Sequence, residues 1–390
     1  MNNSFDWIIR RNGTSSFKHD ARREYFGSDD VLPLWVADMD FAAPVGVQRA
    51  LAERAAHPIY GYTVYPESLY DSLIHWLEVR HNWSVERDWI VLCPGVVPSL
   101  HASIFAFSQP GDAVIVQPPV YAPFFSAPEI TGRTLLLNPL KFEHGRYGFD
   151  LAHLERCATD GARLLLLCSP HNPAGRVWRQ QELQALLEIC QRHGITVVSD
   201  EIHADLTYPG MQHTPLAKLA QGKTNVITAV APSKTFNIPG LGLSALIVPD
   251  KMDRAAISRT FDMLHVGAAN PFSIVAFEAA YREGTPWLDE LLVYLDATKE
   301  LVRVFLERNL PKIKLVEPEG TYLLWLDCRA MNLSDEQLKQ FFAQDARVGL
   351  SPGVLFGAEG SGFMRMNIGA PRAVISEALE RIARAYKARQ

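Results

Sequence analysis

No apolar run in the chain approaches the roughly 20 residues of a membrane span, so a membrane-crossing helix is not expected. The N-terminus, Met1-Asn2-Asn3-Ser4-Phe5-Asp6, lacks a charged stretch followed by an apolar one. No export signal is therefore expected either. Cysteine is scarce: Cys93, Cys157, Cys168, Cys190 and Cys328, an odd number with no C-x-x-C spacing. Most sit in apolar runs, which excludes a disulfide scaffold and reads as buried thiols in a reducing cytoplasm. A basic excess is missing too. Lys plus Arg is 38 against 43 Asp plus Glu, a net charge of −5, which argues against a nucleic-acid partner. His171, His193, His203 and His213 follow no H-E-x-x-H or Cys/His ligand spacing, so no metal is expected. Repeats, low-complexity tracts and Gly/Ser linkers are absent as well.

What remains is an ordinary globular chain. Its 390 residues are 48% apolar and 21% charged, enough for two or three domains with a large core. Short apolar runs predict strands at 89–92, 113–117, 134–138, 163–168, 195–199, 225–231 and 243–248. Several are continuous, such as Leu164 to Leu167, which suits a largely parallel sheet covered on both faces. Helical patterns alternate with them. Gln180–His193 places Leu183, Leu186, Leu187 and Cys190 on one face, with Gly194 as its stop. This predicts a large α/β domain over residues 45–285. Residues 286–310 form a long helix opened by Pro286, Gly320–Asp327 alternates like a strand, and Ile375, Leu379, Ile382 and Tyr386 mark a last helix. Residues 1–44 and 286–390 are expected to form a smaller α+β domain, although the first 40 or so residues are hard to place.

Three segments follow or end predicted strands. They are Ser169-Pro170-His171-Asn172-Pro173-Ala174-Gly175, Ser199-Asp200-Glu201-Ile202-His203 and Ala231-Pro232-Ser233-Lys234-Thr235-Phe236-Asn237. Ligands of open α/β sheets bind beyond the carboxyl ends of the strands, so these loops could share one pocket. A lysine placed after an apolar strand is desolvated, and its amine becomes nucleophilic. Such an amine captures an aldehyde, and pyridoxal 5′-phosphate (PLP) is the usual one. An aspartate at a buried strand end can keep the PLP ring nitrogen protonated, and an asparagine can donate to the ring oxygen. Each element alone is weak, since Asn-Pro-x-Gly is more often a simple turn. Their order and shared position at strand ends raise the signal. Lys218, Lys223 and Lys251 lie in polar stretches and read as surface residues, and His171 reads as part of a solvated loop. Gly353, Gly357, Gly360 and Gly362 fit no nucleotide-binding pattern and read as a mobile loop.

These segments resemble the fold-type I PLP enzymes of the class I/II aminotransferase superfamily. More closely, the chain resembles the MalY/PatB-type cystathionine β-lyases. The resemblance runs from about residue 5 to the end. It is carried by Pro33 to Phe41 (Ala-Asp-Met-Asp-Phe at its end), Tyr60-Gly61-Tyr62-Thr63, Pro94-Gly95-Val96-Val97, Gln117-Pro118-Pro119-Val120-Tyr121, Ser199 to His203, Ser233 to Ile238, Pro286-Trp287-Leu288-Asp289 and Gly362 to Asn367. Two departures stand out. Many aminotransferases place an Arg shortly after the PLP-binding Lys, whereas Ile238-Pro239-Gly240-Leu241-Gly242 has none; the lyase subgroup lacks it too. Ala268-Ala269-Asn270-Pro271 is unlike other members, which leaves side-chain preference open.

The resemblance implies roles residue by residue. Lys234 would hold PLP and move the Cα proton, with Asp200 on the ring nitrogen and Tyr121 stacked on the ring. Asn172 and His203 would lie near the ring oxygen. The amides of Val96 and Val97, opening a helix, would cradle the phosphate, helped by Ser233 and by Tyr62 from the partner subunit of a homodimer. Arg365 would clamp the carboxylate of an amino-acid substrate. The implied activity is β-elimination from L-cystathionine or a related cysteine S-conjugate, giving a thiol, pyruvate and ammonia. The alternatives are a class I/II aminotransferase and a PLP-binding regulator of a transcription factor.

Overall fold

A continuous apolar strand is stable only where both of its faces are covered, and the strand Ala162–Cys168 shows how this chain does it. The computed structural model describes residues 5–222, 225–267 and 270–389. Its largest sheet contains β1 (Ile90–Cys93), β2 (Ala113–Val116), β3 (Thr134–Leu137), β4 (Ala162–Cys168), β5 (Thr196–Asp200), β6 (Val226–Val230) and β7 (Ser244–Ile247). All seven predicted strands are present, displaced by at most one residue at either end. Their spatial order is β1-β7-β6-β5-β4-β2-β3. Only β7 runs against its neighbours, β1 and β6. Leu164 and Leu166 of β4 pack on one face with Leu100 and Ile104 of the helix Val96–Phe107. Leu165 and Leu167 pack on the other with Leu183, Leu186 and Leu187 of the helix Gln180–His193. That helix ends at Gly194, whose φ of +64° suits a left-handed stop.

The C-terminal third builds a separate antiparallel sheet from β8 (Lys314–Leu315), β9 (Leu323–Asp327), β10 (Ser351–Pro352) and β11 (Phe363–Asn367), in the order β8-β9-β11-β10. The helices Thr285–Asn309, which carries Pro in its first turn, and Arg372–Ala388 accompany it. The N-terminal segment joins this part of the molecule. Leu32–Pro33 pairs in parallel with Val348–Gly349. A buried ion cluster holds the chain that follows: Lys18 reaches Asp40 at 2.7 Å, and Arg11 reaches Asp38 at 2.7 Å and Asp40 at 2.6 Å. The glycine-rich stretch after β10 forms two short 3₁₀ turns. They are packed together so tightly at Gly353 and Gly360 that a side chain on either would strike the other's backbone.

Candidate active site

Strand register brings the three predicted loops together. Cys168 of β4 lies beside Asp200 of β5, and Asp200 lies beside Ala229 of β6. The segments that follow therefore leave the sheet at one level. They meet the N-terminus of the helix Val96–Phe107 around a cavity of about 260 Å³, lined by Val96, Val97, Tyr121, Asn172, Asp200, His203, Ser233 and Lys234. Nine of the ten predicted site residues are thus gathered: these eight line it and Arg365 touches Asn172, its Nη1 donating to Asn172 Oδ1 at 3.0 Å. Tyr62 is the exception, being fully exposed on its own chain.

Lys234 sits in the one-turn helix Pro232–Thr235, which β6 delivers to the cavity. Its Nζ donates to the Ala37 carbonyl at 2.6 Å. Burial, reinforced by the charge of Arg365, brings its pKa down to about 8. Asp200 is buried at the end of β5, and Ile202 N donates to its Oδ1 at 3.1 Å. Burial pushes this carboxyl up to about 7, because the pull of Ile202 N and Lys234 does not make up for lost water. A cation placed against Asp200 would restore its charge. His203 is buried with Nδ1 unpartnered, and burial beside Lys234 and Arg365 takes it down to about 3, so its imidazole stays neutral. The helix at Val96 offers first-turn amides that no intrahelical carbonyl can reach. An anion at Val96 and Val97, a cationic ring nitrogen at Asp200 and an aldehyde at Lys234 together describe a phosphorylated pyridine aldehyde. The residues fit PLP.

Arg365 stands in β11 between Trp325 and Ser351. It is buried, and its partners are all neutral oxygens: Asn172 Oδ1, the Trp35 carbonyl at 2.7 Å and Ser351 Oγ at 3.3 Å. Its Nε has no partner. Burial lowers its pKa to about 10, still charged at neutrality. A buried guanidinium without an anion is a site for a carboxylate.

The sequence of the chain also matches known proteins along nearly its whole length. The profile of the aminotransferase class I and II family matches residues 29–382. The chain belongs to this family. Cystathionine beta-lyase PatB of Bacillus subtilis strain 168 is 45% identical over 381 residues, covering 97% of this chain and 98% of that one. Protein MalY of Escherichia coli strain K12 is 31% identical, covering 98% and 99%. Cystalysin from Treponema denticola, whose crystal structure contains pyridoxal 5′-phosphate, superposes with a TM-score of 0.96 at 36% identity, covering 100% of both chains. Within the family this chain is of the MalY/PatB type, and its fold is that of the fold-type I enzymes.

The structure corrects one reading and adds several residues. His171 is buried rather than solvated. Its Nε2 bonds the Pro119 carbonyl at 2.7 Å, and burial takes it down to about 4. It ties the loop after β4 to the segment that presents Tyr121. Lys218 and Lys251 are exposed, whereas Lys223 and Ala268-Ala269 lie outside the described residues. The sequence reading missed Ala37, Tyr322 and Asp205. Asp205 accepts from Thr235 Oγ1 at 2.8 Å, His81 Nε2 at 2.8 Å and Trp76 Nε1 at 3.1 Å, and so grips the residue after Lys234. Only its place five residues after the strand end at Asp200 hinted at this.

Proposed function

We propose that this family member is a PLP-dependent carbon–sulfur β-lyase that cleaves L-cystathionine or a related cysteine S-conjugate. The observation that carries the lyase reading is its 45% identity, over almost all of both chains, to a cystathionine beta-lyase. The absence of an Arg within Ile238–Gly242 supports the same subgroup. With cystathionine the overall reaction consumes one water and yields homocysteine, pyruvate and ammonia.

When bound, PLP supplies the electron sink that lets the Cα–H and then the Cβ–S bond break. The chain's residues supply the rest. Lys234 would hold the cofactor through its amine, with Asp200 toward the ring nitrogen and Asn172 and His203 toward the ring oxygen. Tyr121 would cover the ring, while Val96, Val97 and Ser233 would take the phosphate together with Tyr62 of the partner subunit. Arg365 clamps the substrate carboxylate and so fixes where the Cα proton points. Lys234, its amine released when the substrate's amine takes its place, removes that proton as general base. The departing sulfur takes a proton from Lys234 or a tyrosine.

Two further readings belong here. A homodimer with shared sites is supported by apolar side chains left uncovered on one copy, among them Trp7, Ile8, Ile59, Tyr62 and Val64. A cytoplasmic location is supported by five free, buried thiols. No helix among the described residues is long and apolar enough to cross a membrane.

The test is a pyruvate and free-thiol assay on PLP-loaded protein given L-cystathionine without a keto acid. Equal amounts of pyruvate and thiol are expected. No pyruvate, with amine transfer once a keto acid is added, would replace this reading with an aminotransferase.

A further inference from the structure

Tyr322 immediately precedes β9 of the small sheet, yet its ring reaches the edge of the site at Ala37. Its hydroxyl donates to the Ala37 carbonyl at 3.0 Å, the same oxygen that Lys234 Nζ reaches at 2.6 Å. A carbonyl oxygen has two lone pairs and can take both donors. The backbone that delivers Tyr322 is wedged in place. Glu319 N and Gly320 N donate to the Gly175 carbonyl at 2.8 and 3.0 Å, and Thr321 N donates to the Leu206 carbonyl at 2.7 Å. The segment is thereby fastened to the loop after β4 and the loop after β5. Thr321 is held at φ +66°, a conformation that β-branched residues rarely adopt. Such an outlier persists only where its surroundings over-determine it. The result is a buried phenol with its ring centroid 6.2 Å from that of His203.

We propose that Tyr322 is a positioning residue for Lys234, acting through the Ala37 carbonyl to fix where the free amine rests and to disfavour its protonated form there. The inference rests on the reading of Lys234 as the PLP-binding amine. The phenol hydrogen points at the oxygen that also holds the amine, so its positive end opposes an ammonium at that place. Burial raises the Tyr322 pKa far above its ordinary value, which keeps the hydroxyl a donor throughout the working range. The other groups facing the amine are Arg365, which opposes its charge, Asp38 and Asp200, which favour it, and His203, which is neutral. Without the phenol, the carbonyl belongs to the ammonium alone.

The experiment mixes PLP with cofactor-free protein and follows the visible absorbance that appears as the cofactor joins Lys234, across a range of pH. In Tyr322→Phe the midpoint of the rate profile should move up by about half a pH unit, making capture about threefold slower below the midpoint. Replacing Tyr322 by 3-fluorotyrosine keeps the shape, and therefore the fold, while making the hydroxyl a stronger donor; its midpoint should move down. A midpoint that stays put, or moves the same way in both variants, overturns the role of Tyr322. If the unsubstituted protein gives no visible band beyond that of Lys234→Ala, the assignment of Lys234 itself falls, and this inference with it.

Discussion

Lys234 lines the cavity and Arg365 touches Asn172 on its wall, and among the described residues neither has a carboxylate in contact. Their losses should differ. Lys234→Ala removes the amine that captures PLP, so the protein incubated with PLP should show no visible band after gel filtration; an unchanged spectrum would defeat the assignment. In the unsubstituted protein, capture should rise with pH through about 8, because only the unprotonated amine attacks and burial has brought its pKa to that value. Arg365→Ala strips the proposed carboxylate clamp and costs the cofactor side only one donor to Asn172. Losing one member of a buried charge-assisted pair costs roughly 2–5 kcal/mol, so KM should rise on the order of 30-fold or more with the absorbance intact. A KM within twofold of the original would remove Arg365 from substrate binding. Lys234, Asp200 and Asn172 were legible because apolar strands end just before them or at them. Tyr322 was not, because its role depends on a contact with a carbonyl 285 positions away. His171 was misread because a polar residue between Pro and Asn is normally solvated, and only the neighbouring Pro119 carbonyl makes burial affordable here.

At the scale of elements, the seven strands of the large sheet could be read because each is a short, largely apolar run and several are continuously apolar. The first 40 residues could not. They contain two helices of 4 and 5 residues and a two-residue strand, too short for any periodicity to show. Their order comes from side chains far along the chain. Asn367 Nδ2 donates to the carbonyls of Val36 and Asp38, Asn237 Nδ2 to those of Met39 and Phe41, and Arg365 to that of Trp35. The ion cluster locks the same stretch from outside. Lys18 is completely buried against Asp40 and Asp38, so Lys18→Ala leaves two acids with Arg11 and His19 alone. Removing one partner of a buried pair costs roughly 3–5 kcal/mol, and the urea midpoint of the protein should fall accordingly. A loss below about 1 kcal/mol, the range of surface pairs, would show that the cluster is solvated. The pH dependence has a definite sign. Burial alone would raise the Asp40 carboxyl, but Lys18 and His19 outweigh it and hold it well below its ordinary 3.8. Its contribution is therefore present above pH 3.8 and is lost as pH falls toward its folded value.

At the scale of the whole molecule, we propose that the chain divides into 45–285 and the two flanking segments, with Gly284 as the joint between the helices Pro271–Glu283 and Thr285–Asn309. A side chain on Gly284 would collide with the Phe236 ring, two residues from Lys234, so the joint and the site share one packing contact. The second whole-molecule feature is Tyr62, fully exposed on a segment whose neighbours Ile59, Tyr60 and Val64 are exposed too. Tyr62 does not line the cavity of its own chain, but as the proposed phosphate ligand it can serve a second copy related by a two-fold axis, where each site borrows the other's residue. Mixed dimers test this directly. Tyr62→Phe alone should be impaired because both sites lack the phenol, and Lys234→Ala alone should be inactive. When the two proteins are unfolded, mixed in equal amounts and refolded, half of the dimers are hybrids. In each hybrid, one site combines an intact Lys234 with an intact Tyr62 from the other chain, while the second site lacks both. Random pairing in a symmetric dimer therefore gives about one quarter of full activity, well above the mean of the two parents. If Tyr62 acted within its own chain, no hybrid site would regain both groups and the mixture would stay at the mean of the parents.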